Sequence, residues 1–422
     1  MIDLKQLREQ SKSIVEASAA KGVEIDIDKI LELDRSVRSL EKDIEHIASQ
    51  KNEASKRITN ATETERKTLI DEMREIDRKE ETLRSELGPL SSELTELLYR
   101  IPNPPCADVT VDLDASKNEV IRTVGKKQTY DFPVRDHLEI GEALGIIDMD
   151  RAAKVSGARF VYLKGDGALL EFALLHYALS VVTKHGFTPV LVPHLISANA
   201  MRAMGYLEHG GHDEIYYLQK DNLYLIGTAE QSIGPMHMDE IFDADALPKR
   251  YVGFSPCYRR ESGSYGKDTK GMIRVHQFEK LEMFSYVKPE DSDAEHELIL
   301  GIEEELMQGL EIPYHVIKMV SGDLGLPAAR KYDIEAWIPS QETYRETHSC
   351  STTTDFQTRR LNIRYRTDAG KPAFAHALNG TAFAMGRTIV AILENYQQKD
   401  GSVRIPKVLQ SMMGKDVIRA IE

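Results

Sequence analysis

The sequence predicts an α+β protein: an antiparallel α-helical hairpin near the N-terminus, then a larger body with an antiparallel β-sheet flanked by helices. Three observations predict it. Two heptad seams in the first hundred residues mirror one another, a proline-rich segment follows them, and strand-like runs then recur without regularly interleaved helices.

The first seam is Ile30, Leu33, Val37, Leu40, Ile44, Ile47, Lys51, Ala54 and Ile58, at alternating steps of three and four. The second is Leu69, Met73, Ile76, Glu80, Leu83, Leu87, Leu90, Leu94 and Leu97. Ile58 with Leu69, Ile44 with Leu83 and Ile30 with Leu97 each sum to 127, the register of a chain that folds back near Thr62–Thr64. The same register brings Lys51 within one layer of Glu80, the two charged interruptions offsetting each other. The hairpin covers residues 27–100, and its polar tip is Thr59 to Lys67. About 30 residues per helix give an arm of roughly 45 Å. Pro89 removes a backbone donor and is expected to kink or disrupt the second helix locally. On the heptads alone the arm is a dimerisation coiled coil, a spacer or an RNA-binding element. Lys42, Lys51, Lys56 and Arg57 are the cations that could meet phosphates.

Ile101-Pro102-Asn103-Pro104-Pro105 stops the helix and sets a boundary between a domain of residues 1–105 and one of 106–422. In the body, a helical pattern over Leu169–His185 runs into a strand-like Gly186–Pro193. Further strands are expected at Asn222–Gly227, Tyr251–Tyr258, Leu281–Val287 and Ala373–Leu378.

Over 422 residues, 41% hydrophobic and 29% charged composition describes a chain able to bury a sizeable core. MIDLKQLREQ lacks a signal-peptide apolar region, and no run reaches the roughly 18 apolar residues of a membrane helix. A cytoplasmic protein with no membrane partner is therefore expected. Cys106, Cys257 and Cys350 are far apart and form no CxxC pair, so neither a disulfide framework nor a zinc site is expected. A net charge of −14 argues against a generally basic nucleic-acid binder, although a local basic surface remains compatible with RNA.

No Rossmann or P-loop motif is present, so any nucleotide phosphates must be held otherwise. Three segments could do so. Cys257-Tyr258-Arg259-Arg260-Glu261 leads through Gly263 and Gly266–Gly271 to Arg274, His276-Gln277-Phe278 and Glu282, pairing a guanidinium with carboxylates across a basic glycine-rich loop. Glu346-Thr347-His348-Ser349 offers a carboxylate and a hydroxyl to a hard cation. Leu378–Arg387 enters an amphipathic helix.

Together these segments resemble the three motifs of class II aminoacyl-tRNA synthetases: Gly186–Pro193 is similar to motif 1, Tyr258–Glu261 to motif 2 and Gly380–Arg387 to motif 3. Thr228-Ala229-Glu230, the stretch from Gly266 to Lys280, Asp355-Phe356-Gln357-x-Arg359-Arg360 and Leu393-Glu394-Asn395-Tyr396-Gln397 resemble the seryl-tRNA synthetases in particular. The resemblance spans nearly the whole chain, arm and linker included. It implies a class II antiparallel sheet of six or seven strands, a homodimer built partly through motif 1, and serine activation by ATP followed by transfer to tRNA(Ser). tRNA(Sec) is a further acceptor that the sequence leaves open.

The resemblance also implies roles. Arg259 bridges the L-serine carboxylate and the α-phosphate, and Arg387 covers the other adenine face or the γ-phosphate; these two are the catalytic residues. Glu261 reads the adenine amino group and Phe278 stacks on the ring, while Arg260, Val275, Thr347 and His348 complete the ATP site. Glu346 and Ser349 ligate Mg²⁺. Thr228, Ala229, Glu230 and Glu282 surround the serine ammonium, and Asn379 and Thr381 its hydroxyl. The arm of one subunit lies along the long variable arm of tRNA serving the other subunit's site. Thr347, His348, Thr352 and Thr381 depart from the usual pattern.

Two other readings compete. A ligase that loads an amino acid onto a carrier protein typically lacks the arm and carries zinc. An arm-bearing paralogue without aminoacylation activity would have lost Arg259, Glu282 or Arg387, all of which are present.

Overall fold

Both heptad seams fold as single helices. The computed structural model describes residues 2–59, 61–262 and 271–420. It divides into two compact units, one of Ile2–Ala19 with Val23–Pro102, the other of Ala20–Gly22 with the chain from Asn103 onward.

In the first unit, α1 (Ile27–Thr59) pairs with α2 (Glu63–Arg100). Ile30, Leu33, Val37, Ile44, Ile47, Ala54, Leu69 and Leu94 are buried and the other seam positions half-buried, the stripe that period 3.5 places between two helices. Lys51 bridges Asp77 at 2.6 Å and also reaches Glu80. At the start of α2 the Glu65 carboxylate accepts from the Thr62 backbone N–H at 3.0 Å and from its hydroxyl at 2.6 Å, tying down an otherwise unpaired donor. The expected disruption at Pro89 does not interrupt α2. A proline forfeits one intrahelical bond, while Leu83, Leu87, Leu90 and Leu94 hold the seam on both sides of it.

The second unit is organised by an eight-stranded sheet: β1 (Glu119–Val124), β2 (Thr188–Leu191), β3 (Lys249–Tyr258), β4 (Gln277–Val287), β5 (Tyr314–Lys318), β6 (Arg330–Ile338), β7 (Thr343–Thr354) and β8 (His376–Ala384). Their order is β1-β5-β6-β7-β8-β4-β3-β2. All pairs are antiparallel except β2 with β3, so the sheet is one strand larger than expected and ends on a parallel edge strand. The expected strand at Ala373–Leu378 is split. Pro372–Phe374 joins a small three-stranded sheet, and the main-sheet strand starts at His376.

One sheet face is covered by α3 (Asp166–Val182), α4 (Ser292–Gly309) and α5 (Met385–Asn395). Leu170, Leu174, Ile299, Leu306, Ile389 and Ile392 pack there with Leu281, Met283, Ile334 and Phe383. Side chains alternate across a strand. On β4, Leu281 and Met283 therefore enter this core while Phe278, Lys280 and Glu282 point to the other face, where the site lies.

Candidate active site

The open face of the sheet holds a cavity of about 660 Å³ lined by β3, β4, β7, β8 and the first turn of α5. It gathers Thr228, Glu230, Arg259, Glu261, Val275, Phe278, Glu282, Glu346, Thr347, Ser349, Asn379, Thr381 and Arg387. Residues separated by up to 159 positions in sequence thus share one wall.

Two bulges set the aim of key side chains. In the β6–β7 ladder Ile334 faces His348 and Glu335 faces Glu346, so Thr347 is an extra residue. A three-residue spacing normally places side chains on opposite faces; the inserted residue restores Glu346 and Ser349 to the same one. Between β4 and β8, Leu281 faces Phe383 and Glu282 faces Thr381, making Ala382 the extra residue. Thr381 Oγ1 then stands 3.5 Å from Glu282 Oε2.

The cavity has two chemical regions. In the first, Arg387 Nη1 lies 3.3 Å from the Glu346 carboxylate and donates to the Glu346 carbonyl at 3.0 Å. Arg259 is tethered to the Gly227 carbonyl at 3.2 Å, with its guanidinium 5.2 Å from the Phe278 ring centre. Glu261, at a left-handed φ of 52°, accepts from Arg274 at 2.6 Å. Burial pushes the Glu346 pKa up, but Arg387, Lys331, Arg259 and Lys280 outweigh it and hold the carboxyl below the usual carboxylate range.

In the second region, Glu230 is 3% exposed and clamped between two donors: Tyr206 Oη reaches Oε2 at 2.8 Å and Gln357 Nε2 reaches Oε1 at 2.9 Å. Burial and the neighbouring Glu282 raise its pKa, while Gln357, Tyr206 and Lys280 pull it back. Lys280 pairs with Glu282 and donates to Thr228 Oγ1 at 3.2 Å. A buried acid pair with one resident lysine is an environment that accepts a further cation.

Three expected residues do not line the cavity. His348, across the bulge, faces the helix-side core, with its ring 5.5 Å from Phe383 and Nδ1 2.8 Å from Thr347 Oγ1. Burial lowers its pKa to about 3, so the imidazole is neutral. Arg260 turns aside to stack 4.8 Å over Tyr216 and to donate to the Ile215 carbonyl at 3.0 Å. Ala229 is fully buried against the sheet near Gly253 and Phe284. The glycine-rich stretch from Gly263 to Lys270 lies outside the described residues. Conversely, Tyr206 and Lys331 line the cavity without belonging to any short motif, and Lys280, the last residue of the Gly266–Lys280 stretch, lines it in a role that stretch does not announce. Gln357 sits in the Asp355–Arg360 stretch, so its position was visible but its task was not.

Glu346 and Ser349 bring hard oxygen donors to one face beside a carboxyl that stays ionised. That set fits Mg²⁺ held largely by phosphate oxygens and water. Among the described residues no three His, Cys, Asp or Glu side chains converge on a metal position.

The chain matches the "Seryl-tRNA synthetase N-terminal domain" over residues 1–105 and the "tRNA synthetase class II core domain (G, H, P, S and T)" over residues 216–396. It is 46% identical over 423 residues to the serine–tRNA ligase of Thermobifida fusca, covering 100% of this chain and 99% of that one. Among solved structures, seryl-tRNA synthetase from Pyrococcus horikoshii complexed with ATP aligns with a TM-score of 0.90 and 39% identity, covering all of both chains. Cytoplasmic serine-tRNA ligase from Naegleria fowleri in complex with AMP aligns with a TM-score of 0.86 and 33% identity, covering 100% of this chain and 99% of that one. Full-length similarity at these levels, together with the N-terminal domain match, places this chain in the seryl-tRNA synthetase family.

Proposed function

We propose that the protein is an ATP-dependent serine–tRNA ligase, activating L-serine as seryl-adenylate and transferring it to tRNA(Ser). The observation that carries this reading is the juxtaposition, in one cavity, of an acid-lined region around Glu230 and Glu282 with the guanidinium groups of Arg259 and Arg387.

The reaction is an in-line attack of the serine carboxylate on the α-phosphorus, and it calls mainly for positioning and charge stabilisation. Glu230 and Glu282 hold the serine ammonium, and Thr381 and Asn379 read its hydroxyl. A polar pocket rejects alanine because its own buried groups would be left unpaired. Arg259 grips the carboxylate and the α-phosphate together, a two-pronged task suited to a guanidinium. Phe278 and Arg387 sandwich the adenine, and Glu261 accepts from its amino group. Glu346 and Ser349 would hold Mg²⁺, which would supply charge neutralisation for the departing pyrophosphate.

The partner reading extends this. Leu191 on the edge strand β2 is 92% exposed, and Leu169 and Phe172 on α3 are exposed as well, apolar surface consistent with a homodimer that buries this edge. The helical arm recognises the shape and backbone of the long tRNA variable arm, and the enzyme works in the cytoplasm. The test is charging of tRNA transcripts with labelled serine. Serine must be attached to tRNA(Ser), and shortening the variable arm must abolish it; no charging of any serine acceptor would refute the reading. The same assay with tRNA(Sec) decides whether that acceptor is also used.

A further inference from the structure

Two residues outside the cavity hold its amino-acid region in place. The segment Leu324–Ala328 lines the cavity beside Tyr206. Its backbone turns through Gly325 at φ 71° and lies outside the strands of the sheet. Unpaired carbonyls at a pocket wall leave such a segment loose unless donors are supplied. Here they come from two residues that bracket the helical arm in sequence. Lys21 Nζ donates to the carbonyls of Gly325 at 2.8 Å, Leu326 at 3.3 Å and Ala328 at 2.6 Å. Asn103, only 4% exposed, donates its backbone N–H to Leu326 O at 3.0 Å and its side-chain amide to Pro327 O at 2.8 Å.

From there two routes run to Glu230. Pro327 abuts Gly205, where an added Cβ would come within 3.2 Å of the proline ring, and Gly205 precedes Tyr206, the donor to Glu230 Oε2. The Asn103 amide also donates to Thr353 O at 2.8 Å; Thr353 Oγ1 donates to Gln357 at 3.1 Å, and Gln357 donates to Glu230 Oε1. Asn103 thus backs both donors that fix the Glu230 carboxylate, and Lys21 backs the Tyr206 one. Neither route passes through Arg259, Phe278 or Arg387.

We infer that Lys21 and Asn103 are positioning residues for amino-acid recognition, setting the affinity for the substrate ammonium without touching substrate. The inference rests on the reading of Glu230 as the ammonium receptor. The chemistry is hydrogen bonding to backbone carbonyls, so replacements that remove the side-chain donors should loosen the segment.

The experiment uses the full chain. Lys21→Met and Asn103→Ala are compared with wild type in serine-dependent ATP–pyrophosphate exchange, alongside hydrogen exchange of the peptide spanning residues 324–329. The expected result is a rise of about tenfold in KM for serine, the order of one buried hydrogen bond, with KM for ATP within about twofold. Amide protection of the 324–329 peptide falls at the same time. A general structural defect would instead move both KM values or kcat together. If Lys21→Met does not accumulate as folded protein, Asn103→Ala decides by the same split. Unchanged serine KM in a folded variant, or equal changes for serine and ATP, would overturn the inference. Absence of serine-dependent exchange in the wild type would overturn the functional reading instead, so the two failures are distinguishable.

Discussion

Gln357→Leu removes one of the two donors that hold the Glu230 carboxylate while keeping the side chain's volume. Gln357 is fully buried, so no water takes its place, and its Nε2 sits 2.9 Å from Glu230 Oε1. A hydrogen bond to a charged acceptor is worth about 1.5–3 kcal/mol, or about 10- to 100-fold in kcat/KM for the ligand that depends on it. The direction of the pH effect also follows. Burial and then Glu282 raise the Glu230 pKa, and Gln357 is the foremost group pulling it down. Its loss lifts the pKa further, so a higher pH is needed to ionise the ammonium receptor. In pyrophosphate exchange at saturating ATP, serine kcat/KM should therefore drop about 10- to 100-fold at pH 7, with its acidic limb displaced upward. Tyr206→Phe should move the limb the same way, because that hydroxyl serves the other carboxylate oxygen. An acidic limb that stays in place in both variants, or an ATP KM that rises in proportion, would refute this account of Glu230.

Other outcomes are equally specific. Arg259→Ala should cut exchange by about 10²–10³-fold, and Arg259→Lys should recover only a small part of it, since a point charge cannot grip two oxygens in fixed geometry. Replacing residues 41–86 by a short glycine-rich turn keeps the mirror register of the arm; it should leave serine-dependent exchange within about twofold but lower tRNA charging by about 100-fold or more. Glu303→Gln tests the buried acid under Gly380, whose two carboxyl oxygens are fully buried. Burial, then Glu282 and Asp333, raises its pKa well above the usual value, so the unfolded chain releases a proton that the folded one keeps. Native stability is thus lost as pH rises from the unfolded carboxyl pKa toward the folded one. Melting temperatures should show Glu303→Gln gaining on wild type between about pH 5 and pH 8, and a constant difference would contradict this.

The arm could be read from the sequence down to its register, because a heptad seam is a local pattern and the fold-back adds a single constraint. Lys51 and Glu80, the two breaks in the pattern, meet as the mirror register requires. Pro89 shows the limit of local rules: one missing donor does not end a helix that long seam contacts support. In the body, strand positions near Tyr251–Tyr258 and Leu281–Val287 were visible from β-branched and aromatic runs. The split at Ala375 was not, because it depends on which sheet each half joins.

The site was legible where function concentrates charge in short motifs, as at Arg259, Glu261, Glu346 and Arg387. It was not legible where a ladder irregularity decides which way a side chain points. The bulge at Thr347 sends His348 into the core while turning Glu346 toward the cavity, and no linear pattern announces it. A supporting donor such as Tyr206 escaped for a related reason: it is recruited by tertiary contact from a separate stretch of chain.

The most direct test of the whole account is amino-acid-dependent ATP–pyrophosphate exchange by the full-length protein without tRNA, comparing serine with threonine, alanine and glycine. The account predicts strong exchange with serine and weak exchange with the other three, alanine failing because it leaves the hydroxyl partners Thr381 and Asn379 unpaired. Exchange favouring another of these amino acids, or none with any of them, would contradict it.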